Sequence, residues 1–467
     1  MKRRSRGEWL ATALLSCGAC NGAGGDGGVW NSGTSASTSD TATASATASA
    51  TASVDEGSTA AGAEGTTVAA DDDSTGDAPK LDVGAPPGTF DGCGCALEYI
   101  WVANSAQGTV SKINTATLIE EGRYITRPDG SGDPSRTSVN LAGDVAVANR
   151  FGGLTMIHAD PADCQESNGM PGIQTSTGAN DVLPWSVEEC RGWYVDFATS
   201  NQRPVAWTGG TASEGDCNAD AAQVWTVTST VPGLFPGLGG PGGVTATLLD
   251  GSTGAIVEQV DVPQAVFSGG QFGAYGGAVD AQGNLYVVGL GGFGGSVMAR
   301  VRKADLIVQT WPIPAGVATY GITVDHEGRP WVSSTLGAGA ARFDPDTETW
   351  DVVMGFFGGS GLAEGPDDRM YVSGGGGIYA VDLQSLAVEH VFVSSETVKG
   401  VGFDADDQLW AVTYQDLERP TPEGGVAFKI DPVTGVVIDF YNGLDHPYTY
   451  SDMTGKALGT VTCPPAG

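Results

Sequence analysis

The 467-residue sequence has few basic residues, only four histidines and no long hydrophobic run. Its 55 acidic and 22 basic side chains give a formal net charge of −33, which repels phosphate backbones and argues against nucleic-acid binding. The apolar run Leu10–Leu15 is far shorter than the roughly 20 residues that a membrane-spanning helix needs. Because His158, His390 and His446 are scattered through the chain, their spacing indicates no Ser/His/Asp catalytic set.

Glycine and apolar residues are abundant. The chain contains 72 glycines and 24 prolines, yet 40% of its residues are hydrophobic, which is enough for a large core. We therefore expect most glycines to lie in the turns of a sheet-rich fold. The excess acidic residues are interpreted as a solvated surface that keeps an exported protein soluble.

The N-terminus has the features of an export signal. A basic stretch, Met1–Arg6, precedes the apolar run and is followed by Cys17 and Cys20. Leu14-Leu15-Ser16-Cys17 resembles the lipobox of bacterial lipoproteins, whose cysteine is lipidated and becomes the mature N-terminus. Residues 1–20 are thus predicted to be a lipoprotein-type signal peptide that anchors the protein to a bacterial membrane, periplasmic or at the cell surface. Lipidation is expected at Cys17, with Cys20 as the second candidate and an ordinary signal peptide as the other interpretation.

A low-complexity segment follows the signal. Residues 21–90 are rich in Ser, Thr, Ala, Gly and Asp and contain almost no large apolar side chain. Such a segment cannot bury enough surface to offset its ordering entropy, so it is predicted to be a disordered linker.

A repeat dominates the second half of the chain. Each repeat begins with a glycine. An acidic residue or glycine follows four positions later, and a second acidic residue or glycine three positions after that. An aromatic residue stands three positions further on. The segments begin at Gly276, Gly321, Gly361 and Gly400, and their aromatic residues are Tyr286, Trp331, Tyr371 and Trp410. The aromatic residues are separated by 45, 40 and 39 positions, a period typical of a four-stranded propeller blade.

Upstream segments extend the repeat to seven units. Strand patterns at Tyr99–Asn104, Val145–Asn149 and Val205–Trp207 match the strand that carries the aromatic residue. Alternating apolar residues broken by Asp-Pro, Asp-Gly or Thr-Gly follow most of them, as hairpins require. The sequence therefore predicts an all-β fold, a seven-bladed β-propeller over residues 91–467.

The two ends of the propeller are predicted to meet. Gly88–Ala96 resembles a loop and leaves blade 1 without an inner strand, whereas Tyr448–Gly455 remains after blade 7. We expect the C-terminal segment to supply the innermost strand of blade 1 and close the ring. A disulfide between Cys463 and either Cys93 or Cys95 would lock this seam.

The remaining cysteines lie in an insertion. Residues 159–242 contain Cys164, Cys190 and Cys217, and we place this insertion between blades 2 and 3 and within blade 3. Cys164 and Cys190 bracket one excursion and are expected to pair.

The same excursion contains a candidate calcium loop. Asp163, Glu166 and Asn168 supply suitable oxygen ligands, but the order Asp-x-Asp-x-Asp-Gly and a closing bidentate glutamate are lacking. The alternative is a loop that is held by a disulfide and binds no metal ion.

The blade repeat resembles a known enzyme family. Gly-Ile-Thr-Val-Asp-x-x-Gly-x-x-Trp-Val, at residues 321–332, resembles the repeat of streptogramin B (virginiamycin) lyases, and residues 100–117 resemble the Tyr-Val-Thr-Asn repeat of surface propellers. Together these resemblances cover the chain from about residue 97 to its end. They imply the propeller fold and, as an activity, a lyase whose histidine and glutamates act with magnesium near the channel mouth.

The catalytic residues of that family have no counterparts here. The family's glutamate ends the aromatic-bearing strand, and the corresponding residues in blades 1 to 7 are Asn104, Asn149, Gly210, Gly289, Ser334, Gly374 and Thr413. The histidine position is held by Tyr320-Gly321, and His326 lies in the following turn, where we expect a solvated side chain. A lactonase-type metal site would instead require Asn104, Asn149 and Asp452 to approach one another.

One mouth of the channel is the predicted binding site, because the starts of all innermost strands converge there. The residues placed near it are Ser135, Arg136, Tyr275, Tyr320, Ser360, Lys399, Tyr450 and Asp452, with Asn104 and Asn149 at strand ends on the same rim. Three tyrosines among polar groups suit a carbohydrate, peptide or aromatic ligand. The alternative is that the tyrosines plug a tapering channel.

The sequence thus predicts a lipid-anchored, monomeric, extracytoplasmic propeller that binds a glycan, peptide or protein partner without performing chemistry. A metal-assisted streptogramin lyase-like or lactonase-like enzyme with altered site residues is the alternative. No cofactor is assigned, and calcium and magnesium are the candidate ions.

Overall fold

Seven antiparallel sheets make up the described part of the chain. The computed structural model describes residues 93, 95, 98–211, 217, 219–230, 243–263, 273–291, 296–414 and 424–463. The predicted signal peptide, with Cys17 and Cys20, and the predicted linker lie outside these residues. Six sheets have four strands and one has three, each built from consecutive strands, which confirms the predicted all-β, seven-bladed propeller.

The strands of each blade are given from the channel outwards. Blade 1 contains β1 (Tyr99–Asn104), β2 (Thr109–Asn114) and β3 (Glu120–Ile125). Blade 2 contains β4 (Pro134–Val139), β5 (Val145–Asn149), β6 (Leu154–Ile157) and β7 (Arg191–Val195). Blade 3 contains β8 (Gln202–Trp207), β9 (Gln223–Ser229), β10 (Val244–Asp250) and β11 (Ile256–Val262). Blade 4 contains β12 (Ala274–Val279), β13 (Leu285–Gly289), β14 (Val297–Val301) and β15 (Val308–Pro312).

The last three blades have the same arrangement. Blade 5 contains β16 (Val317–Val324), β17 (Pro330–Gly337), β18 (Ala340–Asp344) and β19 (Thr349–Val353). Blade 6 contains β20 (Leu362–Glu364), β21 (Arg369–Gly374), β22 (Gly377–Asp382) and β23 (Val388–Val393). Blade 7 contains β24 (Val398–Phe403), β25 (Leu409–Thr413), β26 (Ala427–Ile430) and β27 (Val437–Tyr441). One α-helix, α1 (Lys456–Thr462), follows, and Pro161–Asp163 forms a 3-10 turn after β6.

Burial distinguishes the channel side from the rim. Every residue of β16 is buried, and the innermost strands of neighbouring blades contact one another, whereas most residues of β11 are exposed. The core of the molecule therefore lies around the channel and between the blades.

The repeat seen in the sequence is a hydrogen-bonded unit. In blade 5 the Trp331 indole Nε1 donates to Asp325 Oδ2 over 2.8 Å, and in blade 7 the Trp410 indole donates to Asp404 Oδ2 over 2.9 Å. Both acids are fully buried. In these two blades the repeated acid thus fixes the turn between the first two strands to the tryptophan of the second strand.

The sequence assignment of blade 3 is wrong by one strand. Val205–Trp207 belongs to β8, the innermost strand, and the second strand is β9 with Trp225. The Trp225 indole donates to the carbonyl oxygen of Gly283 in blade 4 over 2.9 Å, as the Trp101 indole does to Gly143 in blade 2 over 3.0 Å. The error arose because both β8 and β9 carry a tryptophan.

The cysteine-containing excursion is also placed differently from the prediction. Residues 158–190 connect β6 to β7, so they interrupt the outer hairpin of blade 2 and do not lie between blades 2 and 3. The pairing of β7 with β6 after this detour is a long-range contact that the local sequence pattern does not reveal.

Three disulfides join the described cysteines. Cys93 pairs with Cys463, one of the two alternatives left open by the sequence, and Cys164 pairs with Cys190. Cys95 pairs with Cys217, which links the start of blade 1 to the connection between β8 and β9. Disulfides of this number indicate an oxidising, extracytoplasmic compartment.

The C-terminal part of the chain closes the ring at the predicted position. Residues 447–454, the closing segment, run beside β1: Tyr448 N donates to Ala103 O over 3.0 Å, and Trp101 N donates to Met453 O over 2.8 Å. On its other side the segment is so close to β24 that a Cβ on Gly400 would lie 3.0 Å from Thr449 O. The segment therefore occupies the place of an innermost strand, although its ladder to β1 is interrupted.

The short helix α1 follows the closing segment and was not predicted. It buries Leu458 and Val461 against the ends of the innermost strands, and Lys456 Nζ donates to Asp407 Oδ1 over 2.7 Å. The helix thus covers the end of the channel where the innermost strands finish. Among the described residues, no helix has the length and apolar character needed to cross a membrane.

Candidate functional site

Four tyrosines meet at the end of the channel where the innermost strands begin. Tyr275 comes from β12, Tyr320 from β16, and Tyr448 and Tyr450 from the closing segment, and all four are buried. The hydroxyls of Tyr275 and Tyr448 lie 3.0 Å apart, and the hydroxyl of Tyr320 contacts that of Tyr448. We call this group the tyrosine cluster. It joins residues that are up to 175 positions apart in the chain.

The phenols of Tyr320 and Tyr448 stay protonated at neutral pH. Burial raises the pKa of Tyr320 well above its usual value, and burial followed by the field of Tyr275 raises that of Tyr448. A protonated phenol keeps an O–H donor. The cluster can therefore donate hydrogen bonds to a ligand but adds no negative charge.

Cations cover the faces of these rings. The Arg136 guanidinium lies over Tyr450 and 5.0 Å from the Tyr275 centroid, and its Nη2 donates to Tyr275 O over 2.8 Å. Lys399 Nζ lies 4.9 Å from the Tyr320 centroid and donates to the Tyr320 hydroxyl over 3.4 Å. Cation–π contacts of this kind stabilise a cation that has lost its hydration.

Two further arginines complete the entrance. The Arg150 guanidinium lies 4.4 Å from the Tyr448 centroid, and its Nη1 forms an ion pair with Asp133 Oδ1 over 2.5 Å. The Arg203 guanidinium lies 4.9 Å from the Tyr275 centroid. Each of the four rings thus has a cation over a face, which reduces the ring surface on which a ligand could stack.

Burial makes these positive charges costly. Burial, followed by the like charges of Arg136 and Arg150, lowers the pKa of Lys399 to about 8. Burial also lowers the pKa of Arg136 to about 9, so both groups remain cationic at neutral pH. The fold therefore holds charged groups where desolvation opposes them.

Several buried polar atoms at the entrance have no hydrogen-bond partner among the residues that the structure describes. They are the Ser135 hydroxyl, the Tyr450 hydroxyl, and Nε and Nη2 of Arg150. An unmade hydrogen bond at a buried polar atom costs about 1–3 kcal/mol. The entrance thus has more unmade hydrogen bonds than we would expect in a region whose only role is to stabilise the fold.

Two predicted site residues, Asn104 and Asn149, form structural hydrogen bonds at the ends of strands. Asn104 Nδ2 donates to Ser111 Oγ over 2.8 Å, and its Oδ1 accepts from Asp445 N over 2.9 Å. Asn149 Nδ2 donates to Thr126 O over 2.8 Å, and its Oδ1 accepts from the Thr126 hydroxyl over 2.7 Å. Both amides therefore fix strand ends, and neither is directed towards Asp452.

Ser360 and Asp452 also have structural partners. Ser360 O accepts from Ser333 Oγ over 2.6 Å. Asp452 lies below the tyrosine cluster, where its Oδ1 accepts from the backbone amides of Thr454 and Gly455 over 3.2 and 2.9 Å. It borders a cavity of about 40 Å³ beneath α1, and burial raises its pKa to about 6. Asp452 thus shapes the turn into α1.

Sequence reasoning missed Tyr448, Arg150 and Arg203. Tyr448 precedes Tyr450 by two positions, so both were available in the closing segment. Arg150 directly follows Asn149 at the end of β5. Arg203 was hidden by the assignment of blade 3, because recognising β8 as innermost would have placed its start at the channel entrance.

A second cluster of polar residues lies at the opposite end of the innermost strands. His326 Nδ1 contacts Glu364 Oε1, and His326 N donates to Glu364 Oε2 over 2.8 Å. The expected solvated histidine is therefore wrong, since His326 links blades 5 and 6, and its hydrogen bond to Glu364 raises its pKa. Among the described residues, these two and Asp368 form the one set of three metal-capable side chains, with ligand atoms within 4.8 Å of one another.

In the candidate calcium loop, the Glu166 carboxylate forms hydrogen bonds within its own turn. Glu166 Oε1 accepts from the backbone amides of Asn168 and Gly169 over 3.1 and 2.6 Å. Asp163 ends the short 3-10 turn before Cys164. Calcium binding by Asp163, Glu166 and Asn168 stays a prediction.

The corrected strand assignment of blade 3 changes which of its residues corresponds to the glutamate of the streptogramin lyases. In blade 3 the residue three positions after the aromatic is Thr228, not Gly210. The seven positions therefore still contain no carboxylate.

Comparison with known proteins finds similarities among solved structures. No protein-family model and no curated protein matches the chain. Among solved structures, it is similar to a streptogramin B lyase (12% identity, TM-score 0.44, 67% of this chain and 86% of that chain). It is also similar to a virginiamycin B lyase from Staphylococcus aureus (14%, 0.42, 66% and 83%) and to U3-55K (10%, 0.48, 72% and 92%). These likenesses assign no activity, and the fold assignment rests on the seven sheets themselves.

Proposed function

We propose that this chain is an exported, lipid-anchored β-propeller that binds a ligand at its channel entrance and performs no chemistry on it. The observation that supports the proposal is the tyrosine cluster with its buried cations and unpartnered polar atoms. Apolar side chains would fill the same space without desolvation penalties. Groups that reduce stability in this way are expected at functional sites.

The ligand class remains that expected from the sequence: a glycan, a peptide or a protein segment. The covered ring faces argue for recognition by hydroxyl donors and cations more than by stacking. The missing carboxylates at the ends of the second strands support a binding role over chemistry of the streptogramin-lyase type.

Retention of the purified full-length protein on glycan and peptide arrays tests the binding site. The variant Tyr320→Phe/Tyr448→Phe keeps the ring packing and removes the two hydroxyls, so we expect it to lose most retention. Tyr379→Phe is the matched control, because that hydroxyl bonds to Gly375 O in blade 6, outside the channel. Equal retention by the double variant and the wild type would contradict a site at the entrance.

Metabolic labelling with a radioactive fatty acid tests the anchor. We expect label in the wild type and its loss in Cys17→Ser, with Cys20→Ser unchanged. Loss only in Cys20→Ser would move the lipid to the second candidate. Absence of label in the wild-type protein would contradict lipidation and would favour an ordinary signal peptide.

A further inference from the structure

The channel entrance has the opposite charge to the chain as a whole. Arg136, Arg150 and Lys399 all contact the tyrosine cluster. Among the described residues, Asp133 is the only carboxylate that forms an ion pair with any of these three. A protein with a net charge of −33 therefore concentrates unbalanced positive charge at one place, where Arg136 and Arg150 are buried and Lys399 is partly buried.

Such an imbalance indicates a missing anionic partner. Buried charges in proteins are paired, because an uncompensated charge in a low-dielectric environment is strongly unfavourable. Among the described residues, Lys399 has only the Tyr320 hydroxyl as a hydrogen-bond partner, at 3.4 Å, and Arg136 bonds to backbone carbonyls. Neither contact neutralises the charge.

Arg150 presents a donor arrangement that selects a particular kind of anion. Its Nη1 is occupied by Asp133, whereas Nε and Nη2 are buried and have no hydrogen-bond partner in the described part of the chain. Nε and Nη2 form one edge of the guanidinium, and two parallel donors on such an edge match two oxygens of a carboxylate or phosphate.

We propose, building on the binding function above, that the entrance binds an oxyanion of the ligand through Arg150, Lys399 and the hydroxyls of Tyr320 and Tyr448. The anion is a carboxylate or a phosphate group, which share the paired oxygens that the Arg150 edge requires. Arg136 lies deeper and adds long-range attraction. The tyrosines hold the cations in place through their ring faces and donate to the remaining oxygens.

Calorimetric titration of the full-length protein with inorganic phosphate and, separately, with acetate tests this inference at low ionic strength. We expect saturable binding of at least one probe, and the tighter one identifies the source of the oxyanion. Lys399→Met and Arg150→Lys should each weaken it roughly tenfold or more, since a hydrogen bond to a charged group is lost in each. Arg150→Lys retains the ion pair with Asp133 but not the paired donors.

Lys303→Met is the control, because Lys303 is a partly buried lysine in the β14–β15 turn, away from the channel. It should bind the probe as the wild type does. Equal weakening in Lys303→Met, or no saturable binding of either probe to the wild type, would overturn the inference.

The two proposals fail separately. If a neutral ligand found on the arrays depends on Tyr448 while neither oxyanion binds, the binding function stands and the oxyanion inference is wrong. If an oxyanion binds the entrance but no array ligand is retained, the inference stands and the proposed ligand classes are wrong.

Discussion

The indole of Trp410 donates to Asp404 Oδ2 over 2.9 Å, and Lys429 Nζ lies 3.0 Å from the same oxygen. Asp404 also accepts from the backbone amides of Asp406 and Gln408 over 3.0 and 2.9 Å through Oδ1. One buried carboxylate thus joins the first turn of blade 7 to its second and third strands.

Replacing this acid should be severely destabilising. Asp404→Ala leaves the mostly buried Lys429 without a counter-ion, and breaking such a pair costs about 3–5 kcal/mol. Asp280→Ala is the matched control in blade 4, where the acid bonds to Asn284 and Gln282 but to no indole. We expect a clearly smaller loss there. Urea unfolding monitored by tryptophan fluorescence measures both, and similar losses would contradict the assigned role of the indole and lysine contacts.

The seam disulfide should contribute more stability than the one in the blade 2 excursion. Cys93–Cys463 closes a separation of 370 residues and Cys164–Cys190 one of 26. The chain-entropy model gives roughly 6 and 3.5 kcal/mol for these loops, with measured values often lower. Paired serine variants of each bridge should therefore differ in melting temperature, the seam variant being lower. The reverse order in scanning calorimetry would show that closure at the seam depends on α1 and the closing segment instead.

Removing the charge of Lys399 should stabilise the protein while weakening oxyanion binding. Burial, followed by the like charges of Arg136 and Arg150, lowers its pKa to about 8 in the fold, whereas its pKa stays near 10.4 in the unfolded chain. The unfolded state therefore binds more protons between these values, so the lysine's unfavourable contribution decreases as pH rises through this window. Lys399→Met should be more stable than the wild type at pH 7, with the difference shrinking towards pH 10.

Chemical denaturation of both proteins across this pH range checks the prediction. Tyr320 and Tyr448 face the same ammonium, but their pKa values are raised above this range, so they do not titrate within it in the fold. A Lys399→Met protein less stable than the wild type at pH 7 would indicate that the lysine has a structural role.

Asp452 should make stability depend on pH at acid values. Its pKa is raised to about 6 by burial, above the usual value of 3.8. The stabilisation from its protonated form is complete below about pH 4 and is lost as pH rises through 6. Asp452→Asn keeps an Oδ1 acceptor for the amides of Thr454 and Gly455. The variant should therefore gain stability relative to the wild type between pH 4 and 7, and a constant difference would exclude the titration of Asp452 as the cause.

Much of the frame could be predicted because the blade repeat is local. In blades 5 and 7 the acid of the turn and the tryptophan that it bonds are six positions apart, as in Asp325 and Trp331, so their contact is encoded within one hairpin. Blade 3 was misassigned because Trp207 and Trp225 give the same local signal in two successive strands. The pairing of Cys95 with Cys217 could not be derived, because it depends on where the connection from β8 to β9 runs.

The sequence by itself determined the seven blades, the closing position of the C-terminus and the approach of Tyr275, Tyr320 and Lys399 to one end of the channel. Turn residues and strand periodicity act over a few positions, and ring geometry places every strand start on the same side. Only the tertiary structure decided the charge of that entrance and the partners of its side chains. Those depend on contacts among residues from separate blades, such as Arg150 with Tyr448, which no local pattern records.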